Sequence, residues 1–234
     1  MKKFVVDSKV FEIFPDYCLG VVVAEGIDNE NDNLRINNFF ENQIKYFLEE
    51  YSLENIREIE NIKAYRDAFK ILGMNQNKYM CSIEALAKRV QKSGRLPFIN
   101  PIVNLGNALS LKYVLPIGAH DVYKLNADME IRFSIESDHF RGMGENQEEV
   151  LPPKELIYVS GHTVKTRRWI WRQSEDGKIT PETNYVLFPI DGFENINSKQ
   201  VLKARDELAS IIQEEYHCKV KTGYINKYEN TFTL

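Results

Sequence analysis

Cysteine is scarce in this chain: Cys18, Cys81 and Cys218 are the only three in 234 residues, far apart and odd in number. No CxxC or Cys/His pair has metal-ligand spacing, so neither a disulfide framework nor a structural zinc site is supported. Three packed thiols in a reducing compartment is the plain reading. A dominant charge is missing as well, with 30 basic against 34 acidic side chains and a net charge of −4. That balance supplies no global field for DNA or an anionic membrane, so a nucleic-acid partner would have to meet a local patch. No apolar run is long enough to span a bilayer, and Met1-Lys2-Lys3-Phe4-Val5-Val6-Asp7 has no apolar core of a signal peptide. The expectation is a soluble, cytoplasmic protein. No Gly/Ser/Pro-rich linker and no repeat of solenoid period divides the chain, so residues 1–234 are expected to form one domain.

The familiar catalytic signatures are also absent: there is no GxSxG elbow, P-loop, HExxH or dinucleotide-binding glycine fingerprint. Gly142-Met143-Gly144 is a lone GxG that reads as a turn. His139, His162 and His217 are not spaced as ligands and read as structural. His120 stands apart because it falls in the turn-rich segment Leu115-Pro116-Ile117-Gly118-Ala119-His120-Asp121.

What is present is the composition of a folded chain, 43% hydrophobic and 27% charged, which excludes disorder, collagen and coiled coil. A chain of this length buries roughly 70–75% of its unfolded surface. Leu19 to Ala24 is short, apolar and β-branched, as a buried strand is. Phe40, Ile44, Phe47, Leu48 and Tyr51 fall at helical steps, opposite Glu41, Lys45, Glu49 and Glu50. Ile62, Tyr65, Phe69 and Leu72 repeat that spacing, with Gly73 placed for a left-handed cap. Ser82 stands before a further helix carrying Leu86 and Val90, and Gly94 closes it. Beyond residue 128 the texture turns to strands: Met129–Ile135, Leu156–Val159, Val164–Trp171 and Tyr185–Phe188. A helix over 199–216, with Asn197 and Gln200 as a capping box, precedes a last strand at 219–225. Helices followed by strands argue for an α+β fold.

The most unusual segment is Lys165-Thr166-Arg167-Arg168-Trp169-Ile170-Trp171-Arg172-Gln173, which holds both tryptophans and four cations with no acid. As a strand it would put Arg168, Ile170 and Arg172 on one face and Arg167, Trp169 and Trp171 on the other. Two readings stand. One is an RNA contact through Arg167, Arg168 and Arg172, charge for phosphates beside π-faces for bases. The other is a structural strand whose arginines are paired to acids and one of whose tryptophans is core.

Three blocks, Tyr79–Val90, Leu96–Leu111 and Leu115–Asp121, followed by Thr166–Gln173 and Ile179–Thr183, resemble the B3/B4 domain, the editing domain of the bacterial phenylalanyl-tRNA synthetase β subunit, which also occurs free-standing. The resemblance runs over about residues 60–190. It implies an α+β fold, a β-sandwich of unusual topology with helices packed outside. It further implies hydrolysis, without metal, cofactor or covalent nucleophile, of an amino acid wrongly esterified to tRNA, the pocket positioning ester and water. Binding of a free amino acid or other small metabolite, or of RNA alone, are the alternatives. With no ligase module present, aminoacylation is not expected. On this resemblance Asn107, Gln173 and Thr183 are the catalytic candidates. Gly118, His120, Asp121, Trp169, Arg172, Glu175 and Thr180 are the substrate-binding ones. The chain departs from the synthetase pattern in two places. Gly118 stands where the synthetase has a histidine, and Arg172-Gln173-Ser174-Glu175 replaces the glycine-rich stretch whose glutamate reads a tyrosine hydroxyl. Asn107, Gly118, Asp121, Trp169, Arg172, Gln173 and Thr183 are expected to converge on one concave site.

Overall fold

The computed structural model describes residues 1–234. In chain order the helices are α1 (Ser8–Ile13), α2 (Leu34–Tyr51), α3 (Glu60–Ile71), α4 (Ser82–Ser93), α5 (Pro101–Tyr113) and α6 (Ser198–Tyr216). The strands are β1 (Lys3–Val6), β2 (Tyr17–Glu25), β3 (His120–Asp121), β4 (Met129–Phe133), β5 (His139–Phe140), β6 (Glu149–Val150), β7 (Leu156–Ser160), β8 (Thr163–Arg167), β9 (Arg172–Gln173), β10 (Tyr185–Phe193), β11 (Lys219–Ile225) and β12 (Thr231–Thr233). They form two sheets, one ordered β12-β1-β4-β7-β8-β5-β6 with β9 beside β8, the other β11-β2-β10-β3. The fold is α+β, as the sequence predicts. Its halves are interleaved rather than sequential, because β1 and β2 come from the helical half and α6 from the strand-rich half.

Residues of β2 and β10 are buried on both faces. On one side lies α6, where Val201 Cγ1 comes so close to Gly20 that a Cβ there would sit at 2.9 Å. On the other lies the larger sheet, whose Tyr158 hydroxyl reaches Asp191 of β10 at 2.7 Å. A continuous core of 53 residues runs through both sheets and the helices. The amphipathic helices form where their spacing places them. In α2, Phe40, Ile44 and Phe47 are buried while Glu41, Lys45, Glu49 and Glu50 are exposed. Gly73 and Gly94 end α3 and α4 at φ +73° and +70°, the left-handed conformation glycine takes without steric cost. Glu84 of α4, fully buried, takes Arg66 of α3 at 2.8 Å and Lys88 at 2.6 Å, fixing the two helices together. No helix is long and apolar enough to cross a membrane.

Four local expectations are corrected. Ser82 is the first residue of α4, and Cys81, which makes no side-chain cap, precedes it. Asn197 spends its side chain on Phe193 N–H, Tyr65 and Asn61, so no capping box forms with Gln200. The 219–225 strand is followed by β12, which pairs with β1. The predicted strand 164–171 stops at Arg167, because Arg168 and Trp169 adopt φ +50° and +59°. Two consecutive left-handed non-glycine residues cost about 1–2 kcal/mol each. The surroundings hold them there: Trp169 N–H donates to Leu156 O at 2.6 Å, and its indole N–H to Asp191 at 2.6 Å.

Candidate functional site

Asn100 begins the site by capping α5, accepting from Val103 N–H with Pro101 at the first helical position. That fixes the helix on which Asn107 sits. Val114 ends α5 in the left-handed conformation, φ +53°, and turns the chain into the 115–119 loop. The loop is held on β10 by Gly118 N–H to Pro189 O at 3.0 Å and by the Ile117–Ile190 bridge. Gln173, paired through its backbone with Thr166, donates its amide to Ala119 O at 2.7 Å and closes the loop from the other side.

Between these pieces lies a groove of about 600 Å³ whose walls include Asn107, Gly118, Gln173 and Thr180, with Arg89 and Lys178 also on its lining. Through Ile117, Gly118 and Gln173 it adjoins a chamber of about 100 Å³ lined by His120, Tyr158, Trp169, Arg172 and Asp191. Asn107 makes no side-chain hydrogen bond within the protein, so its amide is free to face a ligand or a water. Five of the seven residues expected to converge line the groove or the chamber: Asn107, Gly118, Trp169, Arg172 and Gln173.

The other two, Asp121 and Thr183, line neither cavity. Both are buried, at 5% and 2% exposure, and bond to each other, Thr183 Oγ1 donating to Asp121 Oδ2 at 2.8 Å. Asp121 also caps the short 3-10 turn after β3 through Tyr123 N–H. Thr183 accepts from Thr180 N–H at 3.0 Å, so its contribution is to hold Thr180 at the groove. Glu175 is likewise outside both cavities, taken by Lys178 and by Gly144 N–H at 3.0 Å. The Glu175–Gly177 segment is itself a short 3-10 turn started by Ser174, whose hydroxyl accepts from Asp176 N–H.

The arginines of the basic segment meet carboxylates. Arg167 binds Glu155 at 2.9 Å and also Glu149, and Arg168 binds Glu155 at 3.0 Å. Arg168 further stacks on Tyr79 and Trp171 at 4.2 and 5.0 Å. Their side chains are 11% and 15% exposed, so both are engaged in holding the 168–171 turn. Arg172 differs: at 39% exposure it pairs with the equally open Glu145 at 2.8 Å, a bond worth little in water.

The chamber lining includes Asp191, a carboxylate that no local pattern marks. Asp191 is 2% exposed and accepts from Tyr17 at 2.6 Å, Trp169 at 2.6 Å and Tyr158 at 2.8 and 2.7 Å. Burial pushes its carboxyl up to about 6, although the three donors pull the other way. Burial and the neighbouring Lys165 lower His120 to about 3, so its ring is neutral at physiological pH. His120 stacks on Tyr158 with centroids 5.9 Å apart. The one signal in the sequence was an aspartate inside an apolar run, Phe188-Pro189-Ile190-Asp191-Gly192-Phe193, beyond the point where the predicted strand stopped. No group of three or more His, Cys, Asp or Glu side chains is placed to hold a metal ion.

Two packed sheets with outer helices, and a groove between α5, the 115–119 loop and β9, define the architecture as an α+β domain with one cleft where these elements meet. The B3/4 domain family model matches residues 64–215, and the chain belongs to that family. Among solved structures, an N-terminal fragment of the phenylalanyl-tRNA synthetase β subunit from Pyrococcus horikoshii is similar, with a TM-score of 0.51 and 12% identity. The match covers 93% of this chain and 49% of that one, so the chain spans about half the length of the fragment and the likeness is one of fold. No curated protein matches.

Proposed function

We propose that this chain hydrolyses the ester of a mischarged aminoacyl-tRNA in trans, by a positioned water. The observation that carries the reading is the convergence at one groove of Asn107, Gly118, Gln173 and Thr180, drawn from segments separated by up to 73 positions in sequence. Family membership and the synthetase-fragment fold support it. Ester hydrolysis needs a water aimed at the carbonyl and a donor for the oxyanion. The free amide of Asn107 suits either task. Gln173, with one amide hydrogen given to Ala119 O, keeps its own oxygen to orient the water.

The RNA strand leading to the ester is assigned to the cations around Arg89 rather than to the basic tryptophan segment. Arg89 lines both the groove and a neighbouring depression of about 820 Å³ that also contains Lys45, Arg95 and Phe98. Lys45, Arg89 and Arg95 are exposed and make no ion pair, and Phe98 is 51% exposed. Glu41 is the one acid on that lining. Free cations beside an open aromatic ring suit phosphates and a stacked base.

A panel of mischarged tRNAs, each assayed for deacylation, tests the reading. At least one ester is expected to be cleaved well above the buffer rate, with Asn107→Ala slowing cleavage about 100-fold and leaving the melting temperature nearly unchanged. If no ester is cleaved while a free amino acid raises the melting temperature, the chain is a small-molecule binder. If only uncharged tRNA binds, it is an RNA-binding module.

A further inference from the structure

The chamber beside the groove is small and has an acceptor at its floor and a ring nitrogen on its wall. A cavity of about 150 Å³ is what benzene occupies. At about 100 Å³ this one is smaller than that. Of the Asp191 oxygens, Oδ1 already takes Tyr17, Tyr158 and Trp169, whereas Oδ2 takes only the Tyr158 hydroxyl that it shares with Oδ1. A carboxylate oxygen has two lone-pair directions, so Oδ2 retains one.

His120 supplies the complementary group. Its Nδ1 is sealed and has no hydrogen-bond partner, lying beside Gly177 on the side of the Lys165 chain. The nearby Lys165 ammonium, which donates to Lys124 O and Asp176 O, disfavours a proton on that nitrogen. The neutral ring therefore carries its N–H on Nε2, the nitrogen facing Gly118, 3.4 Å from where a Cβ there would lie. A hydroxyl is the small group that both accepts from such an N–H and donates to a carboxylate.

We propose that this chamber reads the side chain of the esterified amino acid and selects a small hydroxyl-bearing one, of the serine or threonine class. The substrate hydroxyl donates to Asp191 Oδ2 and accepts from His120 Nε2, and an aromatic side chain is excluded by size. This selection rests on the deacylase reading for its substrate, but the chamber's chemistry is tested separately from the hydrolysis. A site built to bond a hydroxyl rejects the analogue lacking it far more strongly than an apolar pocket rejects a missing methylene.

The experiment compares tRNAs carrying serine, threonine, alanine, valine and tyrosine. Seryl and threonyl esters are expected to be cleaved about 100-fold or more faster than alanyl and valyl ones, with tyrosyl-tRNA at the buffer rate. Asp191→Asn should erase the preference for hydroxyls. Gly118→Ala, whose Cβ would stand 3.1 Å from Pro189 Cγ, should narrow the entrance and slow threonyl more than seryl cleavage. Cleavage of tyrosyl-tRNA at the seryl rate, or of alanyl-tRNA at that rate, overturns the proposal while leaving the deacylase standing. If no ester is cleaved, the amides of serine, alanine and tyrosine are compared by thermal shift. Stabilisation by serinamide alone, lost in Asp191→Asn, upholds the chamber and removes the hydrolase. No shift, or a shift with tyrosinamide, overturns the chamber.

Discussion

Asp191 and His120 titrate in opposite senses on the walls of one chamber. Between about 4 and 6 the folded protein keeps a proton on Asp191 that the unfolded chain has released, because burial raises this carboxyl from 3.8 to about 6. Asp191 therefore costs stability as pH rises through that window. His120, held neutral down to about 3, works the other way: the unfolded chain takes up a proton below 6.5 that the folded one refuses, so stability is lost as pH falls. The two partly cancel in the wild type. In Asp191→Asn only the His120 contribution is left of the pair, so the variant's stability minus the wild type's should climb between pH 4 and 6, by at most about 1.4 kcal/mol per pH unit, and level off above. Urea denaturation of both proteins at pH 4 to 7.5 reads this. A difference that stays flat would mean that Asp191 ionises as an ordinary carboxyl.

At the scale of elements, β10 is the strand on which the most depends, since it carries Asp191 toward the larger sheet and Gly192 toward α6. A Cβ on Gly192 would collide with Val201 and lie 2.7 Å from Asn197 Oδ1, the atom that accepts from Phe193 N–H. Neither is the loose end of a long side chain, so α6 would have to move. Gly192→Ala is expected to cost about 1–3 kcal/mol through overpacking. Gly94→Ala is the control: nothing lies within 4 Å of its Cβ position, and only the left-handed φ of +70° is strained. Its cost should be about 1 kcal/mol. Guanidinium denaturation midpoints compare the two, and an equal or smaller loss in Gly192→Ala would show that α6 yields freely. The Arg168–Trp169 turn belongs to this scale as well, because Glu155, Tyr79 and Trp171 hold it where strand geometry would have continued.

For the whole molecule, a net charge of −4 means that any RNA is drawn by local cations. Two clusters compete for that role, and they differ in what their charges already bind. Arg89→Ala and Arg95→Ala should each weaken tRNA binding and lower the slope of log K against log salt by about 0.7–0.9, one phosphate's worth of released counterion. Arg168→Ala should leave the slope alone and lower the melting temperature, since its partner Glu155 is only 14% exposed. Filter binding across 50–300 mM salt checks both. A slope changed by Arg168→Ala but not by Arg89→Ala would return the RNA to the tryptophan segment.

Four of the six helices and the buried strand were legible in the sequence because they depend on neighbours, whereas α1 and α5 carried no reading there. Phe40, Ile44 and Phe47 share a face through helical geometry alone, Gly73 and Gly94 end their helices by local conformation, and Leu19–Ala24 is apolar throughout because it is covered on both sides. The α+β class was within reach from pattern, and the resemblance is what brought Asn107, Gly118 and Gln173 into one expected site. The rest rests on contacts between residues far apart in the chain. Tyr17 and Asp191 are 174 positions apart, and Asp121 and Thr183 are 62 apart. No local pattern marks which carboxylate will be enclosed by two tyrosines and a tryptophan, or that Thr183 will turn inward to hold Asp121. The same holds for the arginines: composition set them beside two tryptophans, but only the folded positions of Glu149 and Glu155 decided that two of them are spent inside the protein. Periodicity governs burial one element at a time, whereas a polar site is made where elements meet.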